Sequence, residues 1–270
     1  MAGNKKIRLD QLLVEKKLVS TREKARRLIL AGEVLVFEQV VDKPGHTFDT
    51  DAELRLRTRP RYVSRGGDKL DSVYGSLQFP VSELVFMDVG ASTGGFTDFL
   101  LQHGAKLVYA VDVGTNQLDY SLRVNPQVVS LEKTHIRNLR QEQISHRIDG
   151  FVVDVSFISI SRVLEFLPTF GTDRHFLVCL IKPQFEAGRE NISKGGVVRD
   201  ENIVRDILSE SLLFFQKLGY GDLRLDFSRL PGPRGNVEYF CYAAYGGAKQ
   251  IDSGLIDRIM QEKADFYSHK

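Results

Sequence analysis

Apolar positions recur at two spacings along this chain, and the change from one to the other divides it. Ile7, Leu9, Leu12, Leu13 and Val14 form a stripe at helical spacing that ends near Lys17. A second helix is marked by Ser20-Thr21-Arg22-Glu23, which matches a capping box with Ser20 as the cap and Glu23 reaching back. Its apolar face is Ala25, Leu28, Ile29 and Ala31, and Gly32 is placed to stop it. Beyond Gly32 the period becomes strand-like, in Val34-Leu35-Val36-Phe37, in Val40-Val41 and in Leu54-Arg55-Leu56-Arg57. These elements predict a small α+β unit over residues 1–58.

Pro60 blocks helix formation and Gly66-Gly67 loosens the chain, so residues 59–68 read as an arginine-rich linker. From there to residue 270 strand and helix patterns alternate, as a parallel doubly wound sheet requires. Strands are expected over 84–89, 107–111, 127–130, 150–154, 176–181, 222–227 and 237–244. Helices are expected over 69–77, 96–102, 116–123, 159–166 and 201–218, with a terminal helix near 254–266. The last two strands flank Pro231-Gly232-Pro233-Arg234-Gly235 and read as an antiparallel hairpin appended to the sheet.

Charge sharpens this division. The net charge is +2, but residues 1–69 hold 16 basic against 10 acidic side chains, which leaves 21 against 25 for the remainder. A basic module that meets a polyanion, joined to an enzyme-like domain, is the expectation. The longest apolar runs, such as 176–181, are far shorter than the roughly 18 to 20 residues that span a bilayer. The N-terminus runs into a charged amphipathic segment without a signal-peptide core, so a cytoplasmic, membrane-free setting is expected. Cys179 and Cys241 both sit in apolar strand-like runs and read as small buried residues, and the six histidines show no ligand spacing, so no metal is expected.

Candidate chemistry begins at Leu84–Gly95. An apolar run carries Asp88 near its end and breaks into Gly90-Ala91-Ser92-Thr93-Gly94-Gly95 ahead of an amphipathic helix. Glycines there let backbone N–H groups approach a ligand, and the helix N-terminus adds partial positive charge. The loop lacks the G-x-G-x-x-G spacing, and an acid beside it repels a pyrophosphate while suiting a cofactor with an amino group and a sulfonium. The next strand ends in Asp112, placed to accept two ribose hydroxyls. S-adenosylmethionine is therefore favoured over NAD, whose oxidoreductase chemistry is the alternative enzyme reading.

Two more charges end buried strands, Asp154 after Gly150–Val153 and Lys182 after Phe176–Ile181. Lys69 lies at the start of the helix before the first strand, and Glu238 lies in a segment too apolar to host an unpaired carboxylate cheaply. The set Lys69, Asp154, Lys182, Glu238 resembles the Lys-Asp-Lys-Glu tetrad of FtsJ-like ribose 2′-O-methyltransferases, over about residues 61–245. The resemblance implies a Rossmann-like S-adenosylmethionine-dependent sheet, mostly parallel with an antiparallel last strand. In the accompanying chemical reading Lys182 is the candidate base, Lys69 lies beside it, and Asp154 and Glu238 orient the cluster and balance its charge.

Residues 5–58, through Arg8-Leu9-Asp10, Ser20 to Ile29 and Ala31 to Val36, are similar to the RNA-binding domain named after ribosomal protein S-four. That likeness implies that the second helix and the following loop lie on structured RNA. The candidate phosphate contacts are Arg8, Arg22, Lys24, Arg26 and Arg27, with Arg59, Arg61 and Arg65 from the linker. Together the two parts resemble the TlyA family, which also carries the name haemolysin. The expected substrate is ribosomal RNA, within a subunit or free, with cytidine as the modified nucleotide. A membrane-active haemolysin and an RNA-binding protein with an inactive methyltransferase domain are the readings from other classes; oligomeric state is left open.

Overall fold

The computed structural model describes residues 6–56, 60–248 and 252–268. The chain divides into two compact units, residues 1–60 and 61–270.

The first unit opens with β1 (Lys6–Arg8), α1 (Leu9–Glu15) and α2 (Arg22–Leu30), followed by β2 (Val34–Val36), β3 (Gln39–Val40), β4 (Thr47–Asp49) and β5 (Leu54–Leu56). Ile7 belongs to β1, which pairs antiparallel with β4, so the first helix starts only at Leu9. β2 pairs antiparallel with β3 and β5. Leu9, Leu12 and Leu13 of α1 meet Ala25 and Ile29 of α2 and Val34 and Val36 of β2 in one core. The cap of α2 is Thr21 rather than Ser20. Thr21 has the extended φ of −141° that a cap needs, and its hydroxyl accepts from the Lys24 amide at 3.2 Å. Sliding the cap by one residue puts Lys24, not Glu23, at the third helical position, so the capping-box reading fails.

The second unit starts earlier than the sequence suggested. Tyr62 is buried, and a Cβ on Gly67 would lie 2.3 Å from its ring, so the chain around it is built into this unit. α3 spans Arg65–Leu77, which takes up the C-terminal part of the expected linker and adds a turn before Lys69. Then follow β6 (Val85–Val89), α4 (Gly95–Gln102), β7 (Leu107–Val111), α5 (Tyr120–Arg123), β8 (Val128–Leu131), β9 (Ile148–Val153), α6 (Ser161–Leu164), β10 (Gly171–Ile181), α7 (Pro183–Glu186), α8 (Glu201–Lys217), β11 (Tyr220–Phe227), β12 (Tyr239–Tyr245) and α9 (Leu255–Ser268). The helix expected over 116–123 is confined to α5, because residues 112–118 are occupied with loop hydrogen bonds. β10 begins five residues before the expected start, its polar opening Gly171-Thr172-Asp173-Arg174 having hidden the strand.

The seven strands are ordered β11-β12-β10-β9-β6-β7-β8. β9, β6, β7 and β8 run parallel with β10, whereas β12 is antiparallel to both β10 and β11. The expected hairpin is present, but its second strand is inserted between β11 and β10. Every residue of β6 is buried, as a strand covered by helices on both faces requires. The connections leave β6 for β7 and β8 on one side and return to β9 and β10 on the other. The crevice beyond the carboxyl ends of β6 and β9 is therefore the topological switch point, the usual ligand position in such sheets. Among the described residues no helix is long and apolar enough to cross a membrane, and no cluster of three or more metal-binding side chains occurs.

Candidate active site

The loop after β6 crosses that crevice. Gly90 has φ +85°, and a Cβ there would lie 2.4 Å from the Asp154 carbonyl oxygen, so only glycine lets the β6 and β9 loops approach so closely. Gly94, with φ +95°, is the N-cap of α4. Asp88 is fully buried behind the loop and accepts from the Thr97 amide (2.9 Å) and hydroxyl (2.7 Å) through Oδ2. Its Oδ1 is buried without a hydrogen-bond partner among the described residues. Burial pushes the Asp88 carboxyl up to about 7 against the pull of Thr97, with Asp154 and Asp112 adding like-charge repulsion.

Two adjoining cavities open here. One, of about 200 Å³, is lined by Ser64, Lys69, Asp88, Ala91, Thr93 and Gly95 among others. The other, of about 480 Å³, is lined by Asp112, Gln117, Thr134, His135, Ile136 and Phe157 among others. Gly90, Ser92 and Asp154 line both. The Asp112 carboxylate accepts from the Ser92 amide (2.8 Å) and from the Gly114 amide (2.6 Å), which ties the loop after β7 to the glycine loop. Of the residues after β8, Thr134, His135 and Ile136 reach the larger cavity. Glu132 instead accepts from loop amides at 116 and 117.

The four charged candidates form two ion pairs. Lys182 Nζ lies 2.5 Å from Asp154 Oδ1 and donates to Ser156 Oγ at 2.8 Å. Pro183 opens α7 and biases the residue before it to extended backbone, and Lys182 has φ −112° and ψ 102°. Its side chain thus continues from the end of β10 instead of entering the helix. Lys69 Nζ donates to Glu238 Oε2 at 2.6 Å, and Glu238, just ahead of β12, is fully buried. Gln184 Nε2 donates to Glu238 Oε1 at 3.3 Å. A Cβ on Gly232 would lie 2.2 Å from that same oxygen, so the loop before β12 closes directly over the carboxylate. Thr97, Ser156 and Gln184 are partners that the sequence did not single out. The only available signal was their position, one turn into a helix or two residues past a charged strand end.

The basic candidates separate into groups. In the first unit Asp10 is fully buried and accepts from Arg8 Nε and Nη2 and from Arg22 Nη2, at 3.0 to 3.1 Å. Arg8 and Arg22 are thereby oriented by an internal anion, and the Arg8 contact holds the Asp10 carboxyl below its usual range. Lys24, Arg26 and Arg27 are exposed along α2, and Arg22, Arg26, Arg27 and Leu30 line a shallow recess of about 580 Å³. In the second unit Arg61 pairs with Asp71 at 2.6 Å, and Arg65 donates to the Pro231 carbonyl at 2.9 Å. These two guanidinium groups have structural partners that their sequence context does not reveal. Arg59 lies outside the described residues.

A family profile described as FtsJ-like methyltransferase matches residues 62–245, and one described as S4 domain matches residues 7–54. The Bacillus subtilis protein YqxC is 43% identical over 265 residues, covering 96% of this chain and 94% of its own. The 16S/23S rRNA (cytidine-2′-O)-methyltransferase TlyA of Mycobacterium tuberculosis is 40% identical over 241 residues, covering 88% of this chain and 90% of its own. A solved structure from Streptococcus thermophilus, 38% identical, covers 99% of both chains with a TM-score of 0.74.

Proposed function

The chain belongs to the FtsJ-like methyltransferase family, and from that premise we infer that it moves a methyl group from S-adenosylmethionine to a ribose 2′-hydroxyl of ribosomal RNA, at cytidine. The observation that carries this reading is the meeting, at the rim of one sheet, of two lysine–carboxylate pairs with a divided cavity at the switch point.

The residues present fit such a cofactor. Asp88 Oδ1, a buried acceptor left open by its neighbours among the described residues, is suited to an amino group. Gly90 keeps the crevice open where any side chain would collide with the Asp154 backbone. Asp112 at the mouth of the larger cavity suits two ribose hydroxyls. When bound, the cofactor supplies an electrophilic methyl group on a sulfonium.

The chain's own residues position the acceptor and handle its proton. In this reading the ribose hydroxyl gives its proton to Lys182 Nζ, and the ammonium that forms is balanced by Asp154 at 2.5 Å. Ser156 fixes the direction of Nζ through its hydroxyl. Lys69, held by the buried Glu238, presents a second positive charge near the oxygen as it becomes nucleophilic. Exact placement contributes as much as proton removal, because methyl transfer needs the oxygen in line with the carbon–sulfur bond. The exposed cations of α2 hold the RNA through its phosphates, and the setting of this reading is the cytoplasm.

The test is methylation of unmodified ribosomal subunits and free ribosomal RNA with isotopically labelled cofactor, followed by nuclease digestion and mass spectrometry. Label is expected in 2′-O-methylcytidine. Label on a base, or none in RNA, overturns the reading.

A further inference from the structure

The loop that carries Asp112 is sewn to its neighbours at points that the methyl-transfer scheme leaves without a role. Glu132, the first residue after β8, accepts from the Asn116 amide through Oε2 at 2.9 Å and from the Gln117 amide through Oε1 at 3.1 Å. These contacts, with the Leu118 amide beside them, hold the Glu132 carboxyl below its usual range. The backbone adds Lys133 N to Gly114 O at 2.9 Å and Thr134 N to Asp112 O at 2.9 Å. Arg123 reaches back to Asn116 Oδ1 and the Leu118 carbonyl. At the far end, Asp119 N donates to Thr93 O at 3.1 Å, in the glycine loop itself.

The loops after β6, β7 and β8 thus form one stitched lip around the larger cavity, and most of residues 113–117 are otherwise exposed. Asn116 and Lys133 both have left-handed backbone, φ +54° and +52°; asparagine adopts it readily, whereas a lysine holds it chiefly where surrounding contacts support it. A carboxylate suits this position because its two oxygens receive two amides at once. A carboxamide has one accepting oxygen and one donating nitrogen, so it can satisfy only one of them.

We propose that Glu132 is a positioning residue for cofactor binding: its carboxylate pins the Gly114–Leu118 turn, and that turn, through the Gly114 amide, sets the direction of the Asp112 carboxylate. The proposal rests on the methyltransferase reading for the identity of the ligand, but the clamp is a property of the loops and has its own readout.

The experiment compares wild type, Glu132→Gln and Glu132→Ala. Calorimetry measures affinity for S-adenosylmethionine and S-adenosylhomocysteine, and amide hydrogen exchange follows residues 113–118. Loss of two charge-assisted hydrogen bonds predicts roughly tenfold weaker binding and at least about tenfold faster loop exchange in Glu132→Ala, with Glu132→Gln between the two. With the RNA substrate, KM for the cofactor rises while kcat at saturating cofactor stays near wild type. Unchanged loop exchange in Glu132→Ala overturns the clamp, as does a fall in kcat with unchanged affinity. If the wild-type chain binds neither cofactor form, the methyltransferase reading fails, and loop exchange alone decides whether Glu132 pins the turn. A global loss of folding shows as faster exchange throughout β6 and β9; in that event Glu132→Gln, which keeps one acceptor, decides between clamp and no clamp by the same two measurements.

Discussion

Lys69 and Glu238 stand 169 residues apart in sequence, yet their side chains meet at 2.6 Å inside the second unit, Glu238 without solvent contact. A buried pair of this kind is costly to break, because removing one partner leaves the other charge unpaired, whereas removing both leaves an apolar gap. Glu238→Leu is expected to lower stability by about 3 kcal/mol or more in urea unfolding, and Lys69→Met/Glu238→Leu to recover much of it. Neither protein is expected to transfer methyl groups. An active double variant would show that the pair is structural only.

Lys182→Arg keeps a positive charge near Asp154 but has no neutral form that can take a proton. It is expected to bind cofactor and RNA normally while single-turnover methyl transfer falls by about 10²-fold or more. Turnover near wild type would leave electrostatic placement of the ribose as the surviving account.

Asp112→Ala removes the acceptor for two backbone amides and, in the proposed site, for the cofactor ribose. Affinity for S-adenosylhomocysteine is expected to weaken by about 1–3 kcal/mol in calorimetry on a folded variant. No change would take Asp112 out of the cofactor site.

Asp88 makes stability depend on pH in a stated direction. Burial raises its folded-state value to about 7, above the usual carboxylate range, so the native protein keeps a proton that the unfolded chain has released. That contribution is complete below about pH 4 and is lost as pH rises through about 7. Asp88→Asn is neutral throughout. In urea unfolding its stability relative to wild type should therefore climb from about pH 5 to about pH 7 and level off above it. Carboxyls held low, such as Asp10, are common to both proteins and cancel in the difference. A difference that is flat across this range would mean that Asp88 is ionised in the native state from the start.

Arg26 and Arg27 lie exposed on α2. If they sit on phosphates, Arg26→Gln/Arg27→Gln should weaken RNA binding at every sequence and reduce the slope of log affinity against log salt by about 1.4 to 1.8. An unchanged slope would move the RNA contact elsewhere.

The main strands were legible because buried parallel strands are nearly continuous apolar runs, and β7 matches its expected bounds residue for residue. The switch-point loop was legible for a similar reason, since few contexts require Gly90 and Gly94 behind a buried acid. Less legible were features decided by contacts distant in sequence. Thr21 and Ser20 are both good caps, and only backbone geometry selects Thr21. Arg61 and Arg65 read as free cations until Asp71 and the Pro231 carbonyl are brought to them. The split of the charged quartet into Lys69–Glu238 and Lys182–Asp154 had no trace in the sequence, because spacing along a chain says nothing of which strand ends adjoin across a sheet.

β12 runs against its neighbours, so its first residues, not its last, arrive at the rim where the parallel strands finish. This reversal brings Glu238, just ahead of β12, opposite Lys69, and among the described residues β12 is the last strand of the sheet in chain order. Domains emerge from synthesis N-terminal first, at roughly 5–20 residues per second, so on the order of 10 to 30 seconds separates the making of Lys69 from that of Glu238. Only in the last part of that interval, after Lys182 has been made, does the charged quartet have three of its four members. In the methyltransferase reading, the order of translation therefore withholds methyl transfer until Glu238 has joined the other three residues.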